Sequence, residues 1–207
     1  SLGVMPETGM SDGEELLEGQ LLSKLLLNNI SENKYDAIKN HAVVVNNSLR
    51  FGGAERQVVR CLSSDAFSKS LVVWNSRVNT SNNSFIDEVN SLELKIHDYS
   101  LPLTPSPMVF TPEIEKLLSL IPNTSPLNPG VTNKIRNLTA ILLKERPYSL
   151  HLWQDTTNVL GAIAGLIAGV PRIMMSARSL PPFAIKNSSF PNKGPNYYLN
   201  NRYVRIL

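Results

Sequence analysis

The chain has 207 residues, of which 42% are hydrophobic, and a formal net charge of +3. This composition supports a substantial core and argues against an extensively disordered protein. The length favours one large domain, or one domain with appendages. The longest apolar stretch, residues 159–170, is much shorter than the about 20 apolar residues that a transmembrane helix needs, so no membrane span is expected.

The charge is unevenly distributed along the chain. The first 23 residues carry five acidic side chains and no Lys or Arg, so the other 184 residues carry a net charge of +8. A mildly basic body suits an anionic partner such as nucleic acid, a nucleotide diphosphate or an anionic membrane surface. The amino end lacks the pattern of a secretory signal, so we expect a cytoplasmic protein. The single cysteine, Cys61, excludes an internal disulfide and is expected to be a buried, inert thiol.

Residues 1–38 are predicted to form a leader that is separate from the body. Between Glu14 and Ile30 the leucines recur about every four residues, which predicts an amphipathic helix with an acidic first turn. The apolar stripe of this helix could pack on the body, on a second copy or on a membrane surface. Packing on the body is the simplest interpretation.

Residues 39–207 alternate short apolar runs with helical patterns. In chain order, the predicted strands are 41–47, 70–75, 94–98, 148–154 and 172–176, and the predicted helices are 54–63, 85–92, 112–120, 131–145 and 155–168. Such alternation predicts an α/β fold with a Rossmann-like, doubly wound parallel sheet covered by helices on both faces. Gly161, Gly165 and Gly169 are four residues apart, and would let the last helix press closely on the sheet.

Ligands of open parallel sheets bind at the carboxyl ends of the strands, and this rule selects four loops. The loop after the first strand contains the pair Gly52 and Gly53, which would let an anion approach the backbone at a helix amino terminus. It also carries Arg50, Glu55 and Arg56. Alternatively, the glycines only permit a tight turn. The loop lacks the Gly-x-Gly-x-x-Gly fingerprint, which weakens the case for a dinucleotide-dependent reductase.

Three further loops carry candidate residues. After the fourth strand, Asp155 could act as a general base, accept a sugar hydroxyl or serve as the helix N-cap, and Gln154 precedes it. Arg178, after the fifth strand, could hold a phosphate or a carboxylate. His97 and Asp98, after the third strand, are a weaker candidate pair.

Motifs of hydrolases and metal sites are missing from the sequence. There is no Gly-x-Ser-x-Gly elbow and no His-Glu-x-x-His motif. His41, His97 and His151 lie in different predicted strands without ligand spacing, so no metal site is expected. His151 is expected to point into the packing of the sheet.

Residues 43–57, with the sequence VVVNNSLRFGGAERQ, resemble the first strand and the Gly-Gly-Ala-Glu-Arg loop of bacterial glycosyltransferases of family 4, also called group 1. Residues 149–155, 168–172 and 176–182 resemble later segments of the same amino-terminal domain. The resemblance implies a GT-B fold, in which two Rossmann-like domains enclose the active site. This chain would be the acceptor-side domain, and the carboxyl-terminal donor domain would be absent from it.

The resemblance also implies an activity. A retaining enzyme of this family would transfer a sugar from a nucleotide-sugar to a glycan or lipid-linked acceptor in cell-surface polysaccharide synthesis, through an oxocarbenium-like transition state and without a metal or cofactor. Gly52 and Gly53 would face the donor diphosphate, with Arg50, Glu55 and Arg56 nearby. The isolated chain is expected to be inactive without the second domain.

One position departs from the family pattern. Many members place a His at the end of the fourth strand, where this chain has Trp153, followed by Gln154 and Asp155. The catalytic side chain therefore stays open, with Asp155 as the candidate. The expected partners are the donor, the acceptor and the missing domain, with a peripheral membrane contact left open and no nucleic acid. The alternative is a non-catalytic Rossmann-like binding or partner module, with the leader as its docking helix.

Overall fold

The computed structural model describes residues 35–74, 84–100, 110–119 and 130–176, together with positions 24, 26 and 28. The strands are β1 (Ile38–Asn46), β2 (Ser68–Val73), β3 (Lys95–Asp98), β4 (Pro147–Trp153) and β5 (Arg172–Ser176). The helices between them are α1 (Gly53–Leu62), α2 (Ile86–Asn90), α3 (Pro112–Ser119), α4 (Gly130–Glu145) and α5 (Asp155–Ala168). These elements confirm the predicted alternation. Within the described ranges, no helix is long and apolar enough to cross a bilayer.

The five strands form one parallel sheet in the order β3-β2-β1-β4-β5. The chain runs outward from the central β1 to β3, and then returns to the other side of β1 to form β4 and β5. The direction of winding therefore reverses between β1 and β4. In open parallel sheets, this switch point is where ligands bind outside the carboxyl ends of the strands.

The central strand is buried on both faces. Val43 and Val45 lie in a core that includes residues of α3, α4 and α5, whereas Val44 lies in a second core with residues of α1 and α2. All three valines are fully buried. A continuous apolar run of this kind is typical of a central strand in a parallel sheet. The predicted Rossmann-like arrangement, with helices on both faces, is confirmed.

Helix α5 packs very closely on the sheet. A Cβ atom at Gly161 would lie 2.3 Å from Cδ2 of Leu152, and one at Gly165 would lie 2.7 Å from Cδ2 of Leu150. The predicted packing role is therefore confirmed for these two glycines. Gly169 does something different, because it ends the helix in the left-handed conformation with a φ of 83°, which glycine adopts without steric cost.

Of the described positions in the predicted leader, 24, 26 and 28 are helical, whereas residues 35–37 are not, and Ile38 already begins β1. Leu26 is fully buried and belongs to the core formed with α4 and α5, whereas Lys24 is exposed. At this position the leader helix thus packs on the body. Asn28 is exposed as well, and the remaining residues of the predicted leader helix lie outside the described residues.

Candidate functional site

The two loops that flank the switch point are joined by a side-chain hydrogen bond. Gln154, between β4 and α5, donates from Nε2 to Oε1 of Glu55 in α1 at 2.6 Å. The hydroxyl of Ser48, in the loop after β1, donates to the same oxygen at 3.4 Å. Glu55 and Gln154 are 99 positions apart in the sequence. The fold therefore brings two separately predicted site residues together.

Glu55 lies in the first turn of α1 and is only 8% exposed. Its Oε2 is so close to Gly52 that a Cβ added there would lie 2.2 Å from this oxygen. A carboxylate in the first turn is stabilised by the helix dipole and by the N–H groups that have no partner within the helix. The space directly over Gly52 is therefore taken by a side chain of the protein itself.

Gly53 has different surroundings from Gly52. A Cβ added at Gly53 would meet no heavy atom within 4 Å, and the residue is exposed. Open space at the start of a helix of ten residues lets an anion approach the backbone N–H groups. Of the two glycines, Gly53 is thus the one whose surroundings suit a ligand.

The loop after β1 is attached to the segment that precedes α2. Arg50 forms an isolated antiparallel bridge with Ser84, and the carbonyl of Leu49 accepts a hydrogen bond from the amide of Phe85 at 2.8 Å. The guanidinium carbon of Arg56 lies 6.0 Å from the centre of the Phe85 ring, at the outer limit of a cation–π contact. Both arginines are exposed, so their charges face solvent beside the glycine pair.

The junction between β4 and α5 has a strained backbone. Gln154 has a φ of 77° and a ψ of 151°, in a region that is essentially restricted to glycine and costs other residues about 1–3 kcal/mol. Such strain clusters at functional sites. Helix α5 begins at Asp155 and its N-cap is Gln154, so the alternative that Asp155 is the N-cap is wrong. The side chain of Asp155 lies outside what the structure describes.

Two asparagines whose side-chain oxygens are buried lie at the same edge of the sheet. Asn46 is fully buried, and its Nδ2 donates to the carbonyl of Ser48 at 2.6 Å. Asn158 in α5 donates to the carbonyl of Ser176, the last residue of β5, at 3.0 Å. Among the described residues, neither Oδ1 has a hydrogen-bond partner, and orphaned buried acceptors are rare in folded proteins. Both residues were missed, although an Asn that ends an apolar run was a usable signal for Asn46.

Three other residues singled out in the sequence do not join this site. Trp153, in the place of the common His, is half-buried and packs against the core on the α1 side of the sheet. Asp98 accepts a hydrogen bond at 2.8 Å from the amide two residues further on, which holds the turn after β3. His97 contacts Glu145 instead of the glycine loop. Arg178 lies outside the described residues.

Glu145 is a second buried carboxylate, near the amino edge of the sheet. Its Oε1 lies 2.5 Å from Nζ of Lys95 and 3.0 Å from Nε2 of His97. Its Oε2 accepts a hydrogen bond from Ser70 at 2.8 Å and lies 3.5 Å from Nε2 of His41. Burial opposes ionisation, but hydrogen bonds from Lys95 and Ser70 outweigh it and lower the pKa of Glu145 to about 2. We call this group the Glu145 cluster.

Two other predictions concern single side chains. His151 is half-buried, its ring centre lies 6.0 Å from that of Phe67, and burial lowers its pKa. Cys61 is half-buried rather than fully buried, and burial raises the pKa of its thiol, which makes the thiol less reactive. In the described part of the chain, no three or more His, Cys, Asp or Glu residues are grouped so that they could hold a metal ion.

Comparison with known proteins gives one informative similarity. No family model matches the chain. A segment of 87 residues is 37% identical to the Vi polysaccharide biosynthesis protein VipC/TviE of Salmonella typhi. The segment covers 42% of this chain but 14% of the length of that relative. The matched segment thus corresponds to a small part of that relative, which is named for polysaccharide biosynthesis.

Proposed function

We propose that this chain is part of a glycosyltransferase that acts in polysaccharide synthesis. It contributes to the transfer of a sugar, with retention of configuration, from a nucleotide-sugar to a glycan or lipid-linked acceptor. The similarity to the Vi polysaccharide biosynthesis protein supports the role in polysaccharide synthesis. The resemblance of residues 43–57 to the Gly-Gly-Ala-Glu-Arg loop supports the narrower class of enzyme.

The observation that carries the proposal is the hydrogen bond between Gln154 and Glu55. It joins the loops on either side of the switch point, so that one region offers the N–H groups of a helix start, an amide and a carboxylate. Helix N–H groups bind phosphate. Amides and carboxylates are hydrogen-bonding partners for sugar hydroxyls. A nucleotide-sugar contains both kinds of group.

The predicted site residues then have roles in the proposal, except Gly52, which the carboxylate of Glu55 covers. The start of α1 at Gly53 receives the diphosphate, since the space beside it is open. The exposed guanidinium groups of Arg50 and Arg56 offset the charge of the phosphates. Asp155 is the candidate catalytic side chain, and Arg178 is a further phosphate ligand. Neither a metal nor a cofactor takes part.

The test uses a pair of substitutions at Gly53. The 207-residue chain is labelled with ¹⁵N and titrated with UDP, GDP and NAD, and binding is followed through the backbone amides. Because a Cβ at this position meets nothing within 4 Å, both Gly53→Ala and Gly53→Asp should fold. The new carboxylate of Gly53→Asp should weaken binding of a nucleoside diphosphate by about ten-fold or more, whereas Gly53→Ala should change it by less than about three-fold.

Three outcomes would contradict the proposal. Equal affinities of the native chain and both variants would show that phosphates bind elsewhere. Binding of NAD in preference to both diphosphates would support a dinucleotide-dependent enzyme. No nucleotide binding at millimolar concentrations would support the non-catalytic module.

A further inference from the structure

Phe51 is an exposed aromatic residue immediately before the glycine pair. In the described part of the chain, four large hydrophobic side chains are strongly exposed, and Phe51 is the aromatic one among them, at 58%. It lies at the carboxyl edge of the sheet, where the proposed ligands bind. An exposed aromatic ring in a binding loop offers a flat apolar surface to a ligand.

The ring of Phe51 is held in place by its neighbours. Its centre lies 4.8 Å from that of Phe85, with an angle of 72° between the ring planes, which is an edge-to-face contact. Phe85 is itself buried, and its amide donates to the carbonyl of the fully buried Leu49. This contact therefore restricts the orientation of the ring before a ligand arrives. Such preorganisation lowers the entropic cost of binding.

The charges beside the ring are positive. The guanidinium carbon of Arg56 lies 6.0 Å from the centre of the Phe85 ring, which Phe51 contacts, and the exposed Arg50 precedes Phe51 in the chain. Guanidinium groups donate hydrogen bonds and accept none, so they favour a ligand that carries carboxylate or phosphate oxygens. The ring and the arginines together suit a ligand that has a flat apolar face and an anionic substituent.

Glu55 separates this surface from the start of α1. Its carboxylate covers Gly52, which lies between Phe51 and the open side of Gly53. A nucleotide with its phosphates at Gly53 and its base on Phe51 would have to pass over this carboxylate, which repels phosphate. The ring therefore serves a second ligand, distinct from the donor.

We infer that Phe51, with Arg50 and Arg56, is a stacking platform for an acidic pyranose unit of the acceptor glycan. The inference rests on the proposed sugar transfer. The apolar face of the pyranose lies on the ring of Phe51, and the carboxylate of the sugar accepts hydrogen bonds from the same arginines that offset the charge of the donor phosphates in the proposed function. Phe51 thereby contributes to the choice of acceptor and takes no part in the chemistry.

The experiment compares three probes on the 207-residue chain. Trigalacturonate is the acidic sugar, maltotriose is a neutral control of the same length and UDP reports the donor position. Trigalacturonate should shift the amides of Phe51 and Arg56, and should bind about three-fold or more tightly than maltotriose. Phe51→Leu should weaken its binding by about five-fold or more, and Phe51→Trp should retain it. Arg56→Gln should remove the preference for the acidic sugar.

The matched control is Met175→Ala, because Met175 is 55% exposed but lies on β5. This variant should bind trigalacturonate as the native chain does. The inference is overturned if Phe51→Leu has no larger effect than Met175→Ala, if neither trisaccharide binds, or if Phe51→Leu weakens UDP binding as much as trigalacturonate binding. Binding of trigalacturonate at Phe51 without any binding of UDP would refute the donor site at Gly53 and leave the platform intact.

Discussion

Two carboxylates are buried in the described part of the chain, Glu145 at the end of α4 and Glu55 in α1, and their surroundings are opposite. Glu145 is 5% exposed and Glu55 is 8% exposed. The first contacts Lys95 and His97 in the Glu145 cluster. Among the described residues, no Lys, Arg or His forms an ion pair with Glu55, which accepts hydrogen bonds from the neutral Gln154 and Ser48.

This difference separates a structural carboxylate from one that suits a functional role. Burying a charged group costs several kcal/mol of desolvation free energy unless partners offset that cost. The Glu145 cluster supplies those partners and ties the end of α4 to β1, β2 and β3. Glu55 instead lies beside the strained Gln154, at the edge where ligands bind. Places where a sequence departs from what stability favours are expected to be functional.

The largest expected effect comes from removing the structural carboxylate. Glu145→Ala should lower the free energy of unfolding by about 4 kcal/mol, because Lys95, Ser70 and His41 lose a buried partner. Urea denaturation measures the change. Glu88→Ala is the control, since Glu88 is exposed on α2, and it should cost less than about 0.5 kcal/mol. Equal losses in both variants would contradict a structural role for Glu145.

Acid should weaken the same cluster. The pKa of Glu145 is about 2 in the folded chain instead of 4.5. A lowered carboxylate pKa stabilises the fold above pH 4.5, so about 3 kcal/mol should be lost between pH 4.5 and pH 2. Burial lowers the pKa of His97 below 6.5, so its contribution is present above pH 6.5 and is lost as the pH falls through the folded-state pKa. Urea midpoints at several pH values test both signs.

A variant without the acid provides the control for this prediction. Glu145→Gln should lose about 3 kcal/mol less stability than the native chain between pH 4.5 and pH 2, because it lacks the carboxyl whose pKa is lowered to about 2. If the native chain and this variant lose stability in parallel, another carboxylate is responsible for the acid sensitivity.

The elements could be predicted from the sequence more fully than the contacts between them. The apolar run of β1 and the glycine spacing of α5 are local patterns, and the structure has both where they were expected. The contact between Glu55 and Gln154 spans 99 positions and depends on the order of the strands, which alternation alone does not specify. The Glu145 cluster draws on four elements for the same reason. Local patterns also predicted the glycine loop, but they did not predict that the side chain of Glu55 lies over Gly52.

The next largest effect should come from the strained backbone at Gln154. Gln154→Gly and Gln154→Ala both remove the hydrogen bond to Glu55, so they differ mainly in backbone conformation. Alanine is normally the more stabilising residue, but at a φ of 77° it is strained and glycine is not. Gln154→Gly should therefore be more stable than Gln154→Ala by about 1 kcal/mol, measured by urea denaturation. The usual order, with alanine more stable, would show that the backbone is not strained there.

The smallest effect should come from Glu55, the buried carboxylate that has no ion-pair partner among the described residues. Glu55→Gln keeps the shape of the side chain and an oxygen that accepts from Gln154, so the free energy of unfolding should change by less than about 1 kcal/mol. It removes a negative charge beside the start of α1, so UDP should bind about two- to five-fold more tightly at low salt, and the gain should shrink as salt screens the charge. Calorimetry at two ionic strengths measures both trends. Weaker UDP binding would instead show that the charge of Glu55 stabilises the bound nucleotide, and a loss of stability as large as that of Glu145→Ala would remove the distinction between the two carboxylates.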